Sequence, residues 1–594
     1  MIRSHARGAL LAVSIGLLCA CQSKPADNGS APAPASTPNA TTSISVEWDQ
    51  AVEQFIAGFF DRYPTFAANA GKHEYDGKLP DYSQASLDAN ALWLHEQRNA
   101  ITAFGDDRLD ATQRFQREYV TAVIDGQLFT LEESGFPYNN PLFYAGDFSP
   151  SMYLTRPYAP LAQRMEAFVS YQEALPKAIE QMRANMRTPL PKSYIELGRD
   201  MFAGYSSFFA DDVPGIFAEI EDADLQARLK ASNAAAIKAT REMADWYIAQ
   251  LPSATQDFAL GAEKFSRMLY ANERVDIPLD TLKAIGEADL ERNLAALKSA
   301  CDAFAPGKSI EECMHKQAQL KPKDGAVEEA RRQLVELRQF VIDKDLVTIP
   351  GNEEALVAEA PPFNRSNFAY IEIPGPYEKN LPSTYYIAPP DPTWSQAEQD
   401  AYIPARTDLL FTSVHEVWPG HFLHFLHVNR SNWIFGRLFA GYAYTEGWAH
   451  YTEEMMFDAG LEDSSPEAHI GQLSNALLRN VRFVSAIGMH TGGMSMEESE
   501  RLFREKAYQD PGNARQQASR GTWDPGYLNY TMGKLMIMQL REDWTARHGG
   551  RQGWKAFHDA FLAFGGPPIP LVRAQMLGGK AEAVLWQPAT ASKP

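Results

Sequence analysis

Long amphipathic periods confine most of this chain to helices. The runs WDQAVEQFIAGFFDRY (48–63), TQRFQREYVTAVIDGQLFTLEE (112–133), PLAQRMEAFVSYQEALPKAIEQMRANM (160–186) and LQARLKASNAAAIKATREMADWYIAQL (225–251) place apolar residues three and four positions apart. That spacing puts one apolar stripe along a helix. Proline and glycine clusters separate the runs at SGFPYNNPLFYAGDFSP (134–150), PLPK (189–192), LKPKDG (320–325) and TIPGNEEALVAEAPPFN (348–364), which read as loops. Strand signals are few, the best being FAYIEIPGPYE (368–378) and TYYIAPP (384–390), short β-rich runs with proline at their ends. No repeat of solenoid period occurs. The sequence predicts a mostly α, large two-lobed fold with a small β-sheet next to the candidate site described below.

The N-terminus carries a different signal. Arg3 and Arg7 precede an apolar run from Ala9 to Leu18, too short to span a bilayer comfortably and of the form of an export signal. It ends Leu18-Cys19-Ala20-Cys21, and a small residue before a cysteine at this place resembles the lipobox of bacterial lipoproteins. Cleavage of residues 1–20 would leave Cys21 as a lipid anchor; the alternative is an ordinary signal peptide with two incidental cysteines. Gln22, rather than an aspartate, points to an outer-membrane lipoprotein facing the periplasm. Residues 21–45 are rich in Pro, Ala, Ser and Thr without apolar period and read as a disordered tether. The remainder is expected to comprise a helical part, 46–345, and a site-bearing part, 346–585, intertwined as one unit.

Charge and motifs exclude several classes. Removing residues 1–20 takes away two arginines and no acid, so the formal charge moves from −20 to −22, with 53 basic residues against 75 acidic. Nucleic acid is a poor partner for such a chain. Beyond the anchor only Cys301 and Cys313 remain; their short separation in an oxidising compartment predicts a disulfide. APGKS (305–309) resembles the end of a phosphate loop, but Asp302 stands where its first glycine belongs. No GxSxG and no GxGxxG occurs, so serine-hydrolase and dinucleotide readings have no starting residue.

The chemistry concentrates in VHEVWPGHFLHFLH (414–427). A zinc-hydrolase helix usually carries two histidines four apart, offset by about 40° around the helix, whereas six residues turn through about 600° and face elsewhere. Pro419 and Gly420 break the rule between His415 and His421: one lacks an N–H and clashes with the preceding turn, the other accepts unusual dihedrals. A kink or bulge there would re-aim His421. The plain alternative is a polar stripe of His421, His424 and His427. A third ligand candidate is Glu446 in YTEGWAHYTEEMM (444–456), 25 residues after His421, enough chain for a second helix to return. Two histidines and a glutamate with the fourth position left to water form a catalytic zinc site, and Glu416 would then be free as general base on that water. Taken alone, Glu446 also reads as a helix-start acid favoured by the dipole.

HEVWPGH, EGWAHYTEE, RFVSAIGMH (482–490) and YTMGKL (530–535), with FFDRYPTFAANAGKHEYDGKLPDYS near the N-terminus, resemble a family of bacterial lipoproteins long labelled a domain of unknown function and marked by HExxPGH. Its fold is similar to that of helical gluzincin metallopeptidases such as neurolysin, angiotensin-converting enzyme and the thermostable carboxypeptidases. The resemblance covers nearly the whole mature chain. It implies one Zn²⁺ held by His415, His421 and Glu446, Glu416 as catalytic base, and hydrolysis of short peptides. It also implies an oxyanion donor, Tyr530 first, with His490 and Tyr527 behind it, and a substrate carboxylate held by an arginine among Arg479, Arg482 and Arg520. Three positions depart from the family pattern: Ala486 where aspartate is common, His424 where glutamine is common, and His450 in place of a less polar residue. The missing carboxylate at Ala486 would weaken the hydrogen bonding that orients a ligand, a role Glu453, two turns after Glu446, could fill. Other readings are a hydrolase of another bond with the same metal site, and a non-catalytic lipoprotein that retains the fold as a peptide-binding or scaffold module.

Overall fold

A computed structural model describes residues 40–588 apart from 362, 363, 366 and 391, with side chains from residue 46. The signal, the Cys21 anchor and most of the expected tether lie outside the described residues. The four amphipathic runs form helices at Ala40–Arg62, Ala111–Leu128, Leu161–Asn185 and Ala223–Gln250. Two of their starts have a plain local cause: Asp110 closes a capping box with Gln113, and Asp222 accepts from the Leu225 N–H, satisfying donors that a first turn leaves free.

The protein is mostly helical, and the apolar side chains of the described residues gather into three cores. Helices Leu161–Asn185, Lys192–Asp211 and Ala223–Gln250 pack around Phe168, Phe202, Phe209 and Tyr247. A larger core takes Phe129 and then residues from Phe265 to Leu585, drawing on both sides of position 345. The third joins Trp48, Phe55, Phe59 and Tyr119 to Phe435 and Phe439, just beyond the histidine stretch. Each fully buried phenylalanine contributes about 1.5–3 kcal/mol, so the N-terminal helices are held firmly against the site-bearing half.

The small sheet has the order β1 (Ala355–Glu359), β3 (Ser383–Ile387), β2 (Ala369–Glu372). β3 is central, parallel to β1 and antiparallel to β2, with Ile371 opposite Tyr385. Its alternating Ser383, Tyr385 and Ile387 are buried, the period-two pattern of a strand with one covered face. β1 lies inside the 348–364 segment that reads as a loop. ALVAE is flanked by acids and proline, and its pairing partner is nearly thirty residues away, so no local signal reports it. Among the described residues, no helix is long and apolar enough to cross a membrane.

Two further links fix the site-bearing half. Cys301 and Cys313 are disulfide-bonded with Cα atoms 5.7 Å apart. A buried ion network ties three helices, Leu279–Phe304, Tyr442–Asp458 and Asn529–Thr545: Glu454 receives the Arg292 fork at 2.7 and 3.0 Å and Lys534 Nζ at 2.6 Å. Lys534 is wholly buried, and only such pairing makes a buried ammonium tolerable.

Candidate metal centre

The helix bearing His415 and Glu416, Arg406–Glu416, ends at Glu416, and a new helix, His421–Val428, starts at His421. The Pro-Gly pair therefore does not kink one helix; it separates two. Pro419, in a cis bond to Trp418, cannot donate to the preceding turn. Gly420 folds back so that its N–H donates to the Val414 carbonyl at 3.0 Å. A β-carbon at Gly420 would overlap the carbonyl oxygens of His415 and Val414, so only glycine fits this return. Trp448, from EGWAH, holds the Pro419 carbonyl through its indole N–H at 2.9 Å. The break thus faces the Tyr442–Asp458 helix that carries Glu446.

The result brings His415, His421 and Glu446 together. Ligand atoms from all three lie within 4.8 Å of one another, and Glu446 Oε2 is 3.3 Å from Nε2 of each histidine. Four tetrahedral ligands at about 2.0–2.1 Å from a zinc ion would be separated by about 3.3 Å. Glu446 Oε2 is buried without a well-formed hydrogen bond, as expected of a group arranged for a cation. The donor set, imidazole and carboxylate, suits zinc, manganese or iron. Burial would push the Glu446 carboxyl up, but the two histidines hold it well below the usual carboxylate range.

Glu453 orients the first histidine. With His415 Nε2 turned to Glu446, the ring proton belongs on Nδ1, which donates to Glu453 Oε1 at 2.7 Å. Glu453 is fully buried, and its charge is also met by Arg479 at 3.3 Å and by His450 Nδ1 at 3.2 Å. Burial opposes ionisation of Glu453, yet Arg479 and the histidines keep its pKa far below normal. This is the carboxylate whose absence Ala486 suggested, supplied instead by the glutamate helix itself; Ala486 lies in the main core. Glu453→Gln is expected to weaken metal binding by about 10–100-fold without removing a ligand, read by titration against a chromophoric chelator. Unchanged affinity would show that this bond does not orient His415.

Glu416 is held from the other side. The backbone N–H of Ile371 on edge strand β2 donates to Glu416 Oε2 at 3.1 Å, so the sheet beside the site positions this carboxylate. Burial raises its pKa, against the pull of His421 and His415.

Tyr530 completes the wall. Its ring stacks near His415 at 6.2 Å between centroids and meets Tyr442 edge-on at 5.8 Å. It sits there because Gly533, one turn on, packs backbone to backbone against Gly447, drawing the Asn529–Thr545 helix onto the glutamate helix. Three guanidinium groups surround the Tyr530 ring, Arg482 at 4.9, Arg479 at 5.6 and Arg520 at 6.0 Å. Arg479 pairs with Glu453, and Arg520 with Asp524 at 2.9 Å while donating to the Tyr442 hydroxyl at 3.0 Å. Arg482 is buried and bonds Gln517 at 2.8 Å. Among the described residues it has no carboxylate partner, and burial together with Arg520 lowers its pKa to about 10.

Other candidates fall elsewhere. His490 lies between Phe258 and Phe265, with Nε2 on the Gly521 carbonyl at 2.8 Å and Nδ1 accepting from the Leu260 N–H at 3.3 Å; both nitrogens are engaged by backbone. Tyr527 is fully buried beside Ser485 and Ser499. His424 binds the Gly565 carbonyl and His427 that of Thr348, which makes them structural. Tyr442 and Asp524 escape a reading of the sequence, although the Arg520–Asp524 spacing of four was a signal available for the second.

Fold and site together define a mostly helical protein in which two adjoining helices and a third supply a two-histidine, one-glutamate triad. The chain belongs to the family described as bacterial protein of unknown function (DUF885), whose profile matches residues 64–576. Two solved structures resemble it over most of their length. One is a candidate lipoprotein of unknown function from Shewanella oneidensis, 24% identical with a TM-score of 0.74, covering 89% of this chain and 99% of that one. The other is a candidate lipoprotein from Colwellia psychrerythraea, 16% identical with a TM-score of 0.74, covering 91% and 99%. At these identities the likeness shows the fold alone. No curated protein matches the chain.

Proposed function

We propose that this protein is a metal-dependent peptidase of the cell envelope, hydrolysing short peptides with one divalent ion, zinc by preference, held by His415, His421 and Glu446. The observation that carries the reading is the convergence of the three ligand atoms within 4.8 Å with a second acid, Glu416, fixed beside them and not among them. A divalent ion there supplies Lewis acidity and lowers the pKa of water. Glu416, steadied by the Ile371 N–H, takes the proton of the attacking water and passes it to the departing amine. The Tyr530 hydroxyl is the donor for charge developing on the carbonyl oxygen. Arg482, which pairs with no carboxylate among the described residues, suits the substrate's terminal carboxylate, with Arg520 behind it. Anchoring through Cys21 in the outer membrane, facing the periplasm, belongs to the same proposal; the two solved relatives described as candidate lipoproteins support it.

The test joins metal analysis to an unbiased peptide library presented both with free and with amidated C-termini. One equivalent of metal, hydrolysis abolished by chelation and restored by zinc, and preference for free carboxylates are expected. Protein that takes up no stoichiometric metal on dialysis would favour the scaffold reading, and metal uptake without cleavage of any peptide would move the proposal to another bond.

A further inference from the structure

Behind the Tyr442–Tyr530 pair lies a cavity of ≈290 Å³, lined by Tyr119, Gln127, Glu273, Phe439, Tyr442 and Asn529. Glu273 is 1% exposed. One oxygen, Oε1, accepts from the Ala443 N–H at 3.0 Å and so caps the helix carrying Glu446, whose own N-cap, Gly441, has no side chain to do it. The Tyr442 N–H of the same first turn also acts on the carboxylate. Oε2 is nonetheless buried without a well-formed hydrogen bond among the described residues, as is Asn529 Oδ1. No lysine, arginine or histidine lines the cavity, and the neighbouring Arg274 turns away to pair with Asp125 at 2.8 Å. A buried carboxylate with a free oxygen is costly unless a cation meets it, and burial pushes its pKa up to about 7. The volume is about ten times the share of one water, too large for a bare ion and of the size of a side chain. Aromatic rings of Phe66, Tyr119, Phe439 and Tyr442 form much of the wall, and ring faces attract organic cations.

We infer that this cavity is a binding site for an alkylammonium or alkylguanidinium group, the chemistry of a lysine or arginine side chain, with the charge on Glu273 Oε2 and the stem among the aromatic rings. The cation site stands on the cavity; its use for a side chain of the substrate rests on the peptidase reading. Asn529 and Tyr442 connect the two, since Asn529 precedes Tyr530 and the Tyr442 ring packs on Tyr530.

The experiment is calorimetric titration of the metal-loaded mature protein with n-butylammonium and n-butylguanidinium, against n-butanol as the uncharged analogue. Saturable binding of the cations and none of the alcohol is expected. Glu273→Gln should weaken it by about tenfold or more. Because that variant also disturbs the helix cap, Val123→Phe, at another residue of the lining, fills the cavity while leaving Glu273 in place and should abolish binding. Failure of the wild type to bind either cation, or equal binding by Val123→Phe, overturns the site. Hydrolysis of peptide pairs differing in lysine against norleucine assigns the source: a lysine preference in kcat/KM that Val123→Phe removes marks a substrate pocket. Binding without such a preference marks a site for free amines. Binding in a protein that cleaves no peptide leaves this site standing and removes the peptidase reading.

Discussion

Replacing Glu416 by glutamine is expected to lower peptide hydrolysis by about 10²–10⁴-fold while one equivalent of metal stays bound. Glutamine has the same shape, and its amide oxygen can still accept the Ile371 N–H that now reaches Glu416 Oε2 at 3.1 Å, so the side chain keeps its place. What it loses is the capacity to take a proton. Glu416 stands outside the group of three atoms that converge on one point, and so its charge is not needed to hold the ion. Turnover of a single good peptide and metal content measured on the same preparation separate the outcomes. Unimpaired turnover would put the base elsewhere. Loss of the metal with the activity would make Glu416 a ligand and require the triad to be redrawn. A parallel Glu446→Gln, which removes a charged ligand from between two histidines, should behave in the opposite way and lose the ion.

The parts of this site that are legible in the sequence are those set by spacing along one helix. Glu446 and Glu453 are seven apart, two turns, and the structure puts both on the side facing His415. The helical runs are legible for the same reason, since their apolar period needs no knowledge of what covers it. What escapes is contact between segments distant in the chain. Glu273 caps the glutamate helix from 170 residues away, and nothing around it in sequence marks it as more than a helix-end acid. β1 is invisible because its partner β3 lies beyond five prolines and the intervening strand β2. His490 shows the converse error of local pattern: it follows the motif spacing, yet its ring is engaged by the backbone of Leu260 and Gly521. Two of the arginines needed tertiary structure too, because Arg479 and Arg482 look alike in sequence and differ in whether an acid has reached them: Glu453 meets Arg479, and none of the described residues' carboxylates pairs with Arg482.

Those distinctions turn on how closely backbones approach, and the closest approach at the site gives the second large effect. Gly420→Ala is expected to weaken metal binding by about 100-fold or more, since orientation of a ligand alone accounts for 10–100-fold, and to lower Tm by several degrees. The added methyl would meet the carbonyl oxygens of His415 and Val414, which are backbone atoms of a buried helix end and cannot rotate aside as a flexible side chain would. The Gly420 N–H bond to Val414 must then lengthen, and the start of the His421–Val428 helix moves with it. Overpacking of this kind typically destabilises by about 1–3 kcal/mol. His421 contributes its nitrogen only 3.3 Å from Glu446 Oε2, so a shift of about 1 Å takes it out of reach of a shared ion while His415, on the preceding helix and tied to Glu453, stays where it is. His421→Ala provides the reference, losing the metal with little change in the Tm of the metal-free protein because no backbone is displaced. If Gly420→Ala binds metal as tightly as the natural protein, the return at Gly420 is not what aims His421, and the six-residue spacing needs another explanation.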